Sequence, residues 1–250
     1  MNDTVLYEMV GQVAVITLNR PDKRNVVNTA MRDGVLAAWR RFDADAAARV
    51  AVLTAAGDKA FCAGRDLTEA ASGHGHGFIP ILRDEVSVAK PVIAAINGAA
   101  LGGGCFLAIS CDLCVAAEHA TFALTEARVG RAPIYAFWLN GVMPQKAALE
   151  MSMTGNPITA QRAYELGLVN HVVPAARLME KALGLAADLC AAAPLSVAAT
   201  KTMIYETAGL DPKAALQASL ARFAPVFESE DALEGMRAFR EKRLPQWKGR

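Results

Sequence analysis

The chain has 250 residues, 53% of them hydrophobic, and carries a formal net charge of +1 at pH 7. This length and composition predict a globular protein with one core, or one core and a small appendage. The near-zero charge gives no support for nucleic acid or an acidic membrane surface as a partner. The sequence contains no run of eighteen apolar residues, so we predict no membrane-spanning helix. Residues 1–8 lack the pattern of a signal peptide, so we expect a cytoplasmic protein.

The first two thirds of the chain predict alternating strands and helices. Residues 5–18 alternate around Gly11, which is typical of a hairpin. Asn28 is a good helix cap, and apolar residues at helical spacing predict a helix that continues to about Asp45. The further predicted elements are strands at 50–54, 91–96, 113–116 and 121–123 and helices at 78–89 and 104–110. This order of strands and helices indicates the α/β class.

The last third is rich in Ala, Leu and Met and is predicted to be mostly helical. The predicted helices cover 144–153, 159–167, 175–192, 194–208, 211–227 and 230–242, and the only predicted strand lies at 169–173. We therefore divide the chain into a core at 1–195 and a helical region at 196–250. An Ala-rich helical tail with apolar faces is also compatible with a self-contained lid.

A glycine-rich stretch at residues 90–106 combines a strand, a turn, three consecutive glycines and a helix. This order directs free backbone N–H groups, aided by the helix dipole, towards an anion or an oxygen that becomes anionic during a reaction. A P-loop requires Gly-Lys-Ser/Thr after the glycines, and a dinucleotide fingerprint requires a third glycine where Leu107 stands,. Neither phosphate motif is present, and a tight turn that only packs the helix on the strand remains the alternative.

The cysteine and histidine patterns give little support for a metal site. Cys111 and Cys114 form a C-x-x-C motif without a second ligand pair, so we predict buried free thiols,. His74 and His76 lie in a Gly-rich segment at 70–77, which we expect to be a mobile loop with no bound metal. An odd number of scattered cysteines fits a reducing compartment.

Five motifs along the chain carry a family resemblance. They are L-N-R-P-D-K-R-N at 18–25, A-F-C-A-G-R-D-L at 60–67, K-P-V-I-A-A-I-N-G at 90–98 with L-G-G-G-C at 101–105, T-G-N-P-I-T-A-Q-R-A at 154–163, and E-G-M-R-A-F-R-E-K-R at 234–243. With these motifs in order, the sequence resembles the crotonase (enoyl-CoA hydratase/isomerase) family. The resemblance implies an α/β fold, the crotonase (ClpP-like) spiral of repeated ββα units with a helical C-terminal trimerisation region.

The resemblance also implies the substrate and the assembly. Members act on acyl-CoA thioesters, and coenzyme A enters as part of the substrate, so no separate cofactor is expected. The helical tail packs across subunits in the family, which implies a homotrimer or a homohexamer. A nucleic-acid role, known for some relatives, has no support from the charge of this chain.

By motif position, the resemblance assigns an oxyanion hole to two backbone N–H groups, those of Arg65 and Gly103. Backbone donors do not depend on the side chain, which is compatible with a bulky arginine at position 65. Loss of one such donor costs about 10²–10³ in rate. Gly64 and Gly102, which precede the two donors, are predicted to line the substrate site.

Further residues are predicted to bind coenzyme A. Ala63 offers its carbonyl to the adenine, and Arg24 lies near the path of the pantetheine and phosphates. Phe239 and Lys242 would reach the adenine and phosphates, from a neighbouring subunit. Asp66 is predicted to belong to the same binding loop. Surface charges with no ligand are the alternative for Arg24 and Lys242.

The sequence departs from the hydratases of the family at one of their two glutamates. Glu126 matches the second glutamate, but Phe106 stands in the position of the first, and Tyr135 lies where the family has a glycine-rich turn. Phe cannot hold a water molecule or transfer a proton, so one base beside an oxyanion hole favours enoyl-CoA isomerisation. Glu126 has a structural alternative, namely pairing with Arg128 or Arg131.

Three alternatives to a one-base isomerase remain open. A malonyl-type acyl-CoA decarboxylase needs the oxyanion hole but no base, with Arg65 or Arg131 holding the carboxylate and Tyr135 as a polar partner. A hydratase in which another group replaces the missing glutamate is the second. A non-catalytic CoA-binding or assembly protein is the third.

Overall fold

The structure, a computed structural model, describes residues 3–70 and 78–250. Its strands are β1 Val5–Val10, β2 Val13–Leu18, β3 Val50–Ala55, β4 Ala60–Cys62, β5 Val92–Ile96, β6 Ala99–Leu101, β7 Leu113–Ala117, β8 Thr121–Ala123, β9 Ile158–Thr159 and β10 His171–Val173. The α-helices are α1 Thr29–Ala44, α2 Leu67–Ala70, α3 Gly103–Ser110, α4 Gln145–Thr154, α5 Ala160–Leu166, α6 Leu178–Ala191, α7 Pro194–Glu206, α8 Pro212–Phe227 and α9 Glu230–Glu241. Short 3₁₀ helices lie at Pro21–Lys23, Thr125–Val129, Ala136–Gly141 and Ala175–Arg177.

The strands form two sheets, and from β3 to β8 successive strands alternate between them. One sheet has the order β1-β2-β3-β5-β7-β10 and the other has the order β4-β6-β8-β9. Neighbouring strands are parallel except where β1 meets β2 and β8 meets β9. The pairs β3/β4, β5/β6 and β7/β8 each place one strand in each sheet, which gives the repeated strand-strand-helix unit that the sequence predicts.

The N-terminal part follows its sequence signals. The predicted hairpin is confirmed as β1 and β2. Helix α1 begins after Asn28, whose side-chain oxygen accepts a hydrogen bond from the N–H of Met31 at 3.0 Å,. Its inward face buries Val35, Trp39 and Phe42 completely. All six residues of β3 are buried because both faces of the parallel sheet are covered,.

The C-terminal helices differ in how much of their surface is buried. Helix α6 packs on the larger sheet, where Leu178, Ala182 and Ala186 contact residues such as Val52 and Ile93. Helix α8, by contrast, buries no residue in the single chain. Large apolar side chains are exposed along α8 and α9, namely Leu216, Leu220, Phe227, Leu233, Met236 and Phe239. The division at residue 195 and the trimerisation role of the tail stay predictions.

The helix predicted at 78–89 is wrong. This segment is an irregular loop with an isolated bridge between Leu82 and Val86. Pro80 interrupts the segment, and Arg83 adopts a left-handed conformation with φ of 69°,. Ile81, Leu82 and Val88 are buried, so apolar side chains anchor this loop to the core. The predicted mobile loop and the histidines at 74 and 76 lie outside the described residues, apart from residue 70 at the end of α2.

Two further sequence predictions concern cysteines and membrane spans. Cys111 and Cys114 are buried free thiols, as predicted, and burial raises the pKa of both well above the ordinary range. In the described ranges, no single helix is long and apolar enough to cross a membrane. One pair, Ala175–Ala191 and Pro194–Glu206, passes the length and composition test only when the two helices are taken together across a 108° bend.

Candidate active site

Three loops that carry predicted site residues follow three neighbouring strands of the smaller sheet. The loops at 63–66, 102–103 and 124–126 come directly after β4, β6 and β8. Because β4, β6 and β8 are parallel, their carboxyl ends lie at one edge of the sheet,. The N–H of Gly102 donates to the carbonyl of Ala123 at 2.8 Å, which joins the second loop to the third.

A cavity of about 380 Å³ lies between these loops. Eight of the predicted site residues line it, namely Ala63, Gly64, Arg65, Gly102, Gly103, Phe106, Glu126 and Tyr135. Arg131 is a second cation of the wall. The remaining wall is mainly apolar and is formed by Leu67, Phe78, Ile79, Thr125, Val129, Ala132 and Ile134. The cavity is therefore a largely apolar pocket with a few polar groups, as expected for a small-molecule site.

The N-terminus of α3 places one backbone donor at the cavity. Gly102 has φ of 52° and precedes the helix. Gly103 is the first residue of α3, so no carbonyl of the same helix accepts a hydrogen bond from its N–H,. Within the described ranges, no hydrogen bond occupies this N–H. A Cβ added at Gly103 would lie 2.5 Å from Cγ1 of Ile79, so the close approach of this side chain requires glycine.

The loop after β4 supplies the second predicted donor. Val27 pairs with this loop, donating its N–H to the carbonyl of Gly64 at 2.8 Å and accepting from the N–H of Asp66 at 2.9 Å. In this parallel bridge the N–H of Arg65 points to the opposite side from Val27,. A Cβ added at Gly64 would lie 3.5 Å from the nitrogen of Gly103, so the two loops are in close contact.

Glu126 is the carboxylate of the cavity. Its Oε1 lies 3.1 Å from the position that a Cβ on Gly102 would occupy, directly beside the start of α3. Its Oε2 is buried and has no hydrogen-bond partner within the described ranges. Burial raises the pKa of this carboxyl above its ordinary value of 4.5,. The carboxyl is thus closer in pKa to neutral pH than a solvated glutamate is.

The sequence-based alternative, in which Glu126 pairs with an arginine, is wrong for Arg128. The Arg128 side chain donates from Nε to the carbonyl of Thr154 at 2.9 Å and from Nη2 to Asn156. Among the described residues, Arg131 has one hydrogen bond to Glu126, from its backbone N–H to the carbonyl oxygen at 2.8 Å. Burial is the main cause of the raised pKa of Glu126, and no charged group in the described part of the chain adds to it.

Phe106 and Tyr135 form an aromatic wall of the cavity. Phe106 is buried in the first turns of α3, and its ring packs edge-on against Tyr135 with centroids 5.6 Å apart. The Tyr135 hydroxyl donates to Oδ2 of Asp84 at 2.6 Å. Burial and this carboxylate raise the pKa of Tyr135 well above the ordinary range. The position of the first hydratase glutamate is therefore occupied by an apolar ring in contact with a second ring.

Asp66 and Arg24 do not line the cavity. The Asp66 carboxylate binds Thr68 Oγ1 at 2.7 Å and Arg20 at 3.2 Å, and these partners lower its pKa. Asp66 therefore fixes the loop, and its predicted substrate contact has no support in the single chain. Arg24 is exposed and lies beside the first loop, because its carbonyl accepts from the N–H of Ala63 at 3.1 Å.

Phe239 and Lys242 lie at the end of α9 and do not line the cavity of their own chain. Phe239 is 86% exposed, which is unusual for a large aromatic side chain in a single chain,. Lys242 ends the helix in a left-handed conformation and is also exposed. Their roles at the site stay predictions that require a neighbouring subunit.

Several cavity residues were missed by the sequence analysis, and Phe78 and Ile79 are two of them. Both precede Pro80 in the segment that was predicted to be a helix, and they form the wall opposite Gly103. Phe78 also lies under the guanidinium of Arg65, with 4.4 Å between its ring centroid and Cζ. Long-range packing brings this segment to the site, and no local pattern in the sequence indicates it.

Comparison with known proteins gives a consistent result. The family model described as enoyl-CoA hydratase/isomerase matches residues 8–250. A carnitinyl-CoA dehydratase from Salmonella arizonae is 39% identical over 261 residues, with 100% of both chains covered. The carnitinyl-CoA dehydratase from Proteus mirabilis is 40% identical over 252 residues, with 96% of both chains covered.

Solved structures agree with these sequence matches. A probable enoyl-CoA hydratase/isomerase from Mycobacterium abscessus superimposes with a TM-score of 0.90 at 41% identity and covers 100% of both chains. An enoyl-CoA hydratase from Mycobacterium tuberculosis gives a TM-score of 0.92 at 38% identity, also with 100% coverage of both chains. The likeness therefore extends over the whole chain.

Proposed function

The chain belongs to the enoyl-CoA hydratase/isomerase family, and from this premise we propose that it isomerises enoyl-CoA thioesters with Glu126 as a single base. The family assignment confirms the crotonase fold and makes the chain an acyl-CoA enzyme. The observation that carries the single-base proposal is the Glu126 carboxyl in the cavity. Its Oε2 is buried and has no hydrogen-bond partner within the described ranges. Phe106, which by motif position replaces the first hydratase glutamate, is buried in the cavity wall.

In the proposed reaction the thioester oxygen accepts hydrogen bonds from the backbone N–H groups of Arg65 and Gly103. Negative charge develops on this oxygen when C2 loses a proton, and preorganised donors stabilise it. The dipole of α3 adds a partial positive charge at Gly103. Two observations support this oxyanion hole. The two donor loops are in contact, and neither N–H is used within its own element, since that of Arg65 points away from Val27 and that of Gly103 lies at the N-terminus of α3.

Glu126 performs both proton transfers in this proposal. Its carboxylate removes a proton from C2 of a 3-enoyl thioester, and the electron pair forms a C1–C2 double bond as the carbonyl pair moves onto the thioester oxygen. When the carbonyl re-forms, the C1–C2 pair becomes the C2–C3 double bond and the C3–C4 pair takes up a proton at C4. The same carboxyl then returns the proton to C4, which gives the 2-enoyl isomer with no net gain or loss of atoms. The raised pKa of Glu126 suits a base near neutral pH,.

Phe106 disfavours hydration in this proposal. Hydration requires one group to hold and deprotonate water and another to deliver a proton to C2. The ring pair of Phe106 and Tyr135 excludes water from that side of the cavity and offers no proton acceptor at position 106. We propose no cofactor beyond the coenzyme A of the substrate, with Ala63 and Arg24 along its path and Phe239 and Lys242 contributed by a neighbouring subunit.

A second candidate, hydration or dehydration, is favoured by the names of the relatives. Proteins called carnitinyl-CoA dehydratase are 39% and 40% identical to this chain. In this case another group, such as the Tyr135 hydroxyl, must replace the missing glutamate. The two candidates differ in which thioester they convert.

A mass-spectrometric screen of acyl-CoA thioesters, scored for isomerisation, hydration and loss of CO₂, tests the proposal. We expect conversion of a 3-enoyl-CoA to the 2-enoyl isomer, weak hydration of crotonyl-CoA and a loss of about 10²–10⁴ in isomerisation for Glu126→Gln. Glu150→Gln, which changes an exposed carboxylate on α4, is the matched control. Crotonyl-CoA turnover within the ordinary enzyme range of about 1–10³ s⁻¹ would exclude the one-base mechanism.

A further inference from the structure

The cavity contains more cationic than anionic side chains. Among its described lining residues, Arg65 and Arg131 are the two cations and Glu126 is the one carboxylate. Asp84 approaches the wall from outside and accepts the hydrogen bond of Tyr135. Two guanidinium groups of the cavity wall can therefore attract an anionic group on a substrate,.

Arg131 differs from Arg128, which lies three residues earlier on the same turn. Arg128 is held by Thr154 and Asn156 and supports the backbone around α4. Arg131 lines the cavity, is exposed, and makes no side-chain hydrogen bond or ion pair with any described residue. Its backbone N–H donates to the backbone carbonyl of Glu126 at 2.8 Å, which holds the backbone of the two residues together at the cavity. Arg131 is therefore placed to bind a ligand group.

The aromatic rings of the cavity are poorly arranged for a cationic acyl group. A quaternary ammonium group binds best over free aromatic faces. The guanidinium of Arg65 lies over the face of Phe78, with 4.4 Å between Cζ and the ring centroid. Phe106 and Tyr135 pack against each other edge to face. One aromatic face is thus already covered by a cation, and two guanidinium groups repel another positive charge.

We propose that the acyl chain of the substrate carries a carboxylate and that Arg131 binds it, with Arg65 as the second cation of the acyl pocket. This inference rests on the proposed function, because Glu126 must still reach C2 of the same acyl chain. Guanidinium groups bind carboxylates through two parallel hydrogen bonds, which also fixes orientation. Arg131 is exposed, so its guanidinium is hydrated before binding, and the paired hydrogen bonds to a carboxylate must replace this water,.

The phosphate groups of coenzyme A are the other source of an anion for Arg131. Both sources use the same guanidinium chemistry, but only the acyl carboxylate makes affinity depend on the acyl end. Pantetheine thioesters lack the nucleotide phosphates, and they separate the two sources. A pair of acyl groups of equal length, glutaryl and pentanoyl, isolates the effect of the carboxylate.

The test measures dissociation constants of glutaryl-CoA and pentanoyl-CoA by titration calorimetry on the full chain, followed by the two corresponding pantetheine thioesters. Neither acyl group has a double bond, so binding is measured without turnover. We expect the glutaryl thioester to bind about tenfold or more tightly than the pentanoyl thioester in both series. In Arg131→Gln this ratio should fall to near one, while Arg128→Gln, the matched control, should retain it.

Three results would overturn the inference. Equal binding of the two acyl groups by the wild-type protein would remove the acyl carboxylate from recognition. Equal weakening of both CoA thioesters in Arg131→Gln, with no effect on the pantetheine thioesters, would assign Arg131 to a phosphate. Tighter binding of 4-trimethylammoniobutanoyl-CoA than of glutaryl-CoA would show a cation-binding pocket instead.

The proposed function fails separately from this inference. If the two CoA thioesters bind equally while a 3-enoyl-CoA is isomerised in a Glu126-dependent reaction, only the carboxylate inference is wrong. If no acyl-CoA binds at all, both proposals are wrong. A glutaryl preference without isomerase activity retains Arg131 as the specificity residue and excludes the one-base reaction.

Discussion

At the scale of single residues, Glu126 combines a functional position with a thermodynamic cost. A carboxylate with one buried oxygen that has no hydrogen-bond partner within the described ranges is less favourable than a solvated one,. Its pKa is raised in the folded state, so its protonated form is favoured by folding. The stability that this group contributes is fully present below pH about 4.5 and is lost as pH rises through the folded-state pKa.

We therefore expect Glu126→Gln to be more stable than the wild-type protein at pH 8, by about 1 kcal/mol, because the amide carries no charge. The difference should decrease as pH falls through the folded pKa and should disappear below the unfolded pKa of about 4.5. Urea unfolding at several pH values measures it, with Glu150→Gln as the control. A constant difference at all pH values would show that the effect comes from packing and not from the charge.

Phe106 is the residue at which a second carboxylate can be restored. Phe106→Glu loses the ring pair with Tyr135 and buries a charged group beside Glu126, so the free energy of unfolding should fall by about 2–4 kcal/mol,. Hydration of crotonyl-CoA should nevertheless rise by at least about tenfold, since a second acid–base group becomes available. Phe106→Gln is the control of similar size. Equal hydration by the Glu and Gln variants would contradict the assigned role of position 106.

At the residue scale, the sequence motifs predicted which residues line the site better than they predicted the hydrogen bonds that these residues make. Glu126, Phe106 and Tyr135 were placed at the site by motif position, and the structure brings all three to one cavity. The attachment of Asp66 to Arg20 and Thr68 was not predicted, because a carboxylate in a binding motif gives no sign of its hydrogen-bond partners. Arg131 was named only as an alternative, and its exposure distinguishes it from Arg128.

At the scale of elements, the start of α3 is the feature on which the proposed oxyanion hole depends. Gly103→Pro would remove the N–H, but any Cβ at this position also meets Ile79 at 2.5 Å. A background of Ile79→Ala removes this clash. In that background Gly103→Ala should keep most of the isomerase rate, and Gly103→Pro should lose about 10²–10³ in kcat.

Steady-state kinetics on an uncharged 3-enoyl-CoA measures this difference, and Arg65→Ala provides a further comparison. The Arg65 variant keeps its backbone N–H and should remain within about tenfold of the wild-type rate on this substrate. Equal rates for the two Gly103 variants would mean that this N–H is not an oxyanion donor. An Arg65→Ala variant as inactive as Gly103→Pro would show that the arginine side chain acts directly.

Helices and strands were predicted correctly where a capping residue and a long apolar face indicate the same element, as in α1. Prediction failed where tertiary contacts determine the local structure. The segment at 78–89 has apolar residues at spacings that suit a helix, but Pro80 and long-range anchoring make it a loop. Strands of two or three residues, such as β6 and β9, are too short to show an alternating pattern. Their positions follow from pairing with β4 and β8.

At the scale of the whole molecule, the exposed apolar surface of α8 and α9 predicts assembly. Phe227 is 72% exposed and Leu233 is 67% exposed, and α8 buries no residue within the chain,. We expect light scattering at micromolar concentration to show a trimer or hexamer, and Phe227→Asp to shift the mass towards smaller species. Lys213→Glu, an exposed change on α8, should not. A monomeric wild-type protein would leave the proposed roles of Phe239 and Lys242 without a basis.

The central claim is that one carboxyl group carries both proton transfers, and an isotope experiment tests it most directly. A 3-enoyl-CoA labelled with deuterium at both C2 positions is converted in ordinary water, and the 2-enoyl product is examined for deuterium at C4 by mass spectrometry. A single base that returns the proton it removed predicts substantial deuterium at C4, and loss of conversion in Glu126→Gln. Product with hydrogen only from water at C4, formed with full activity by Glu126→Gln, would contradict the account.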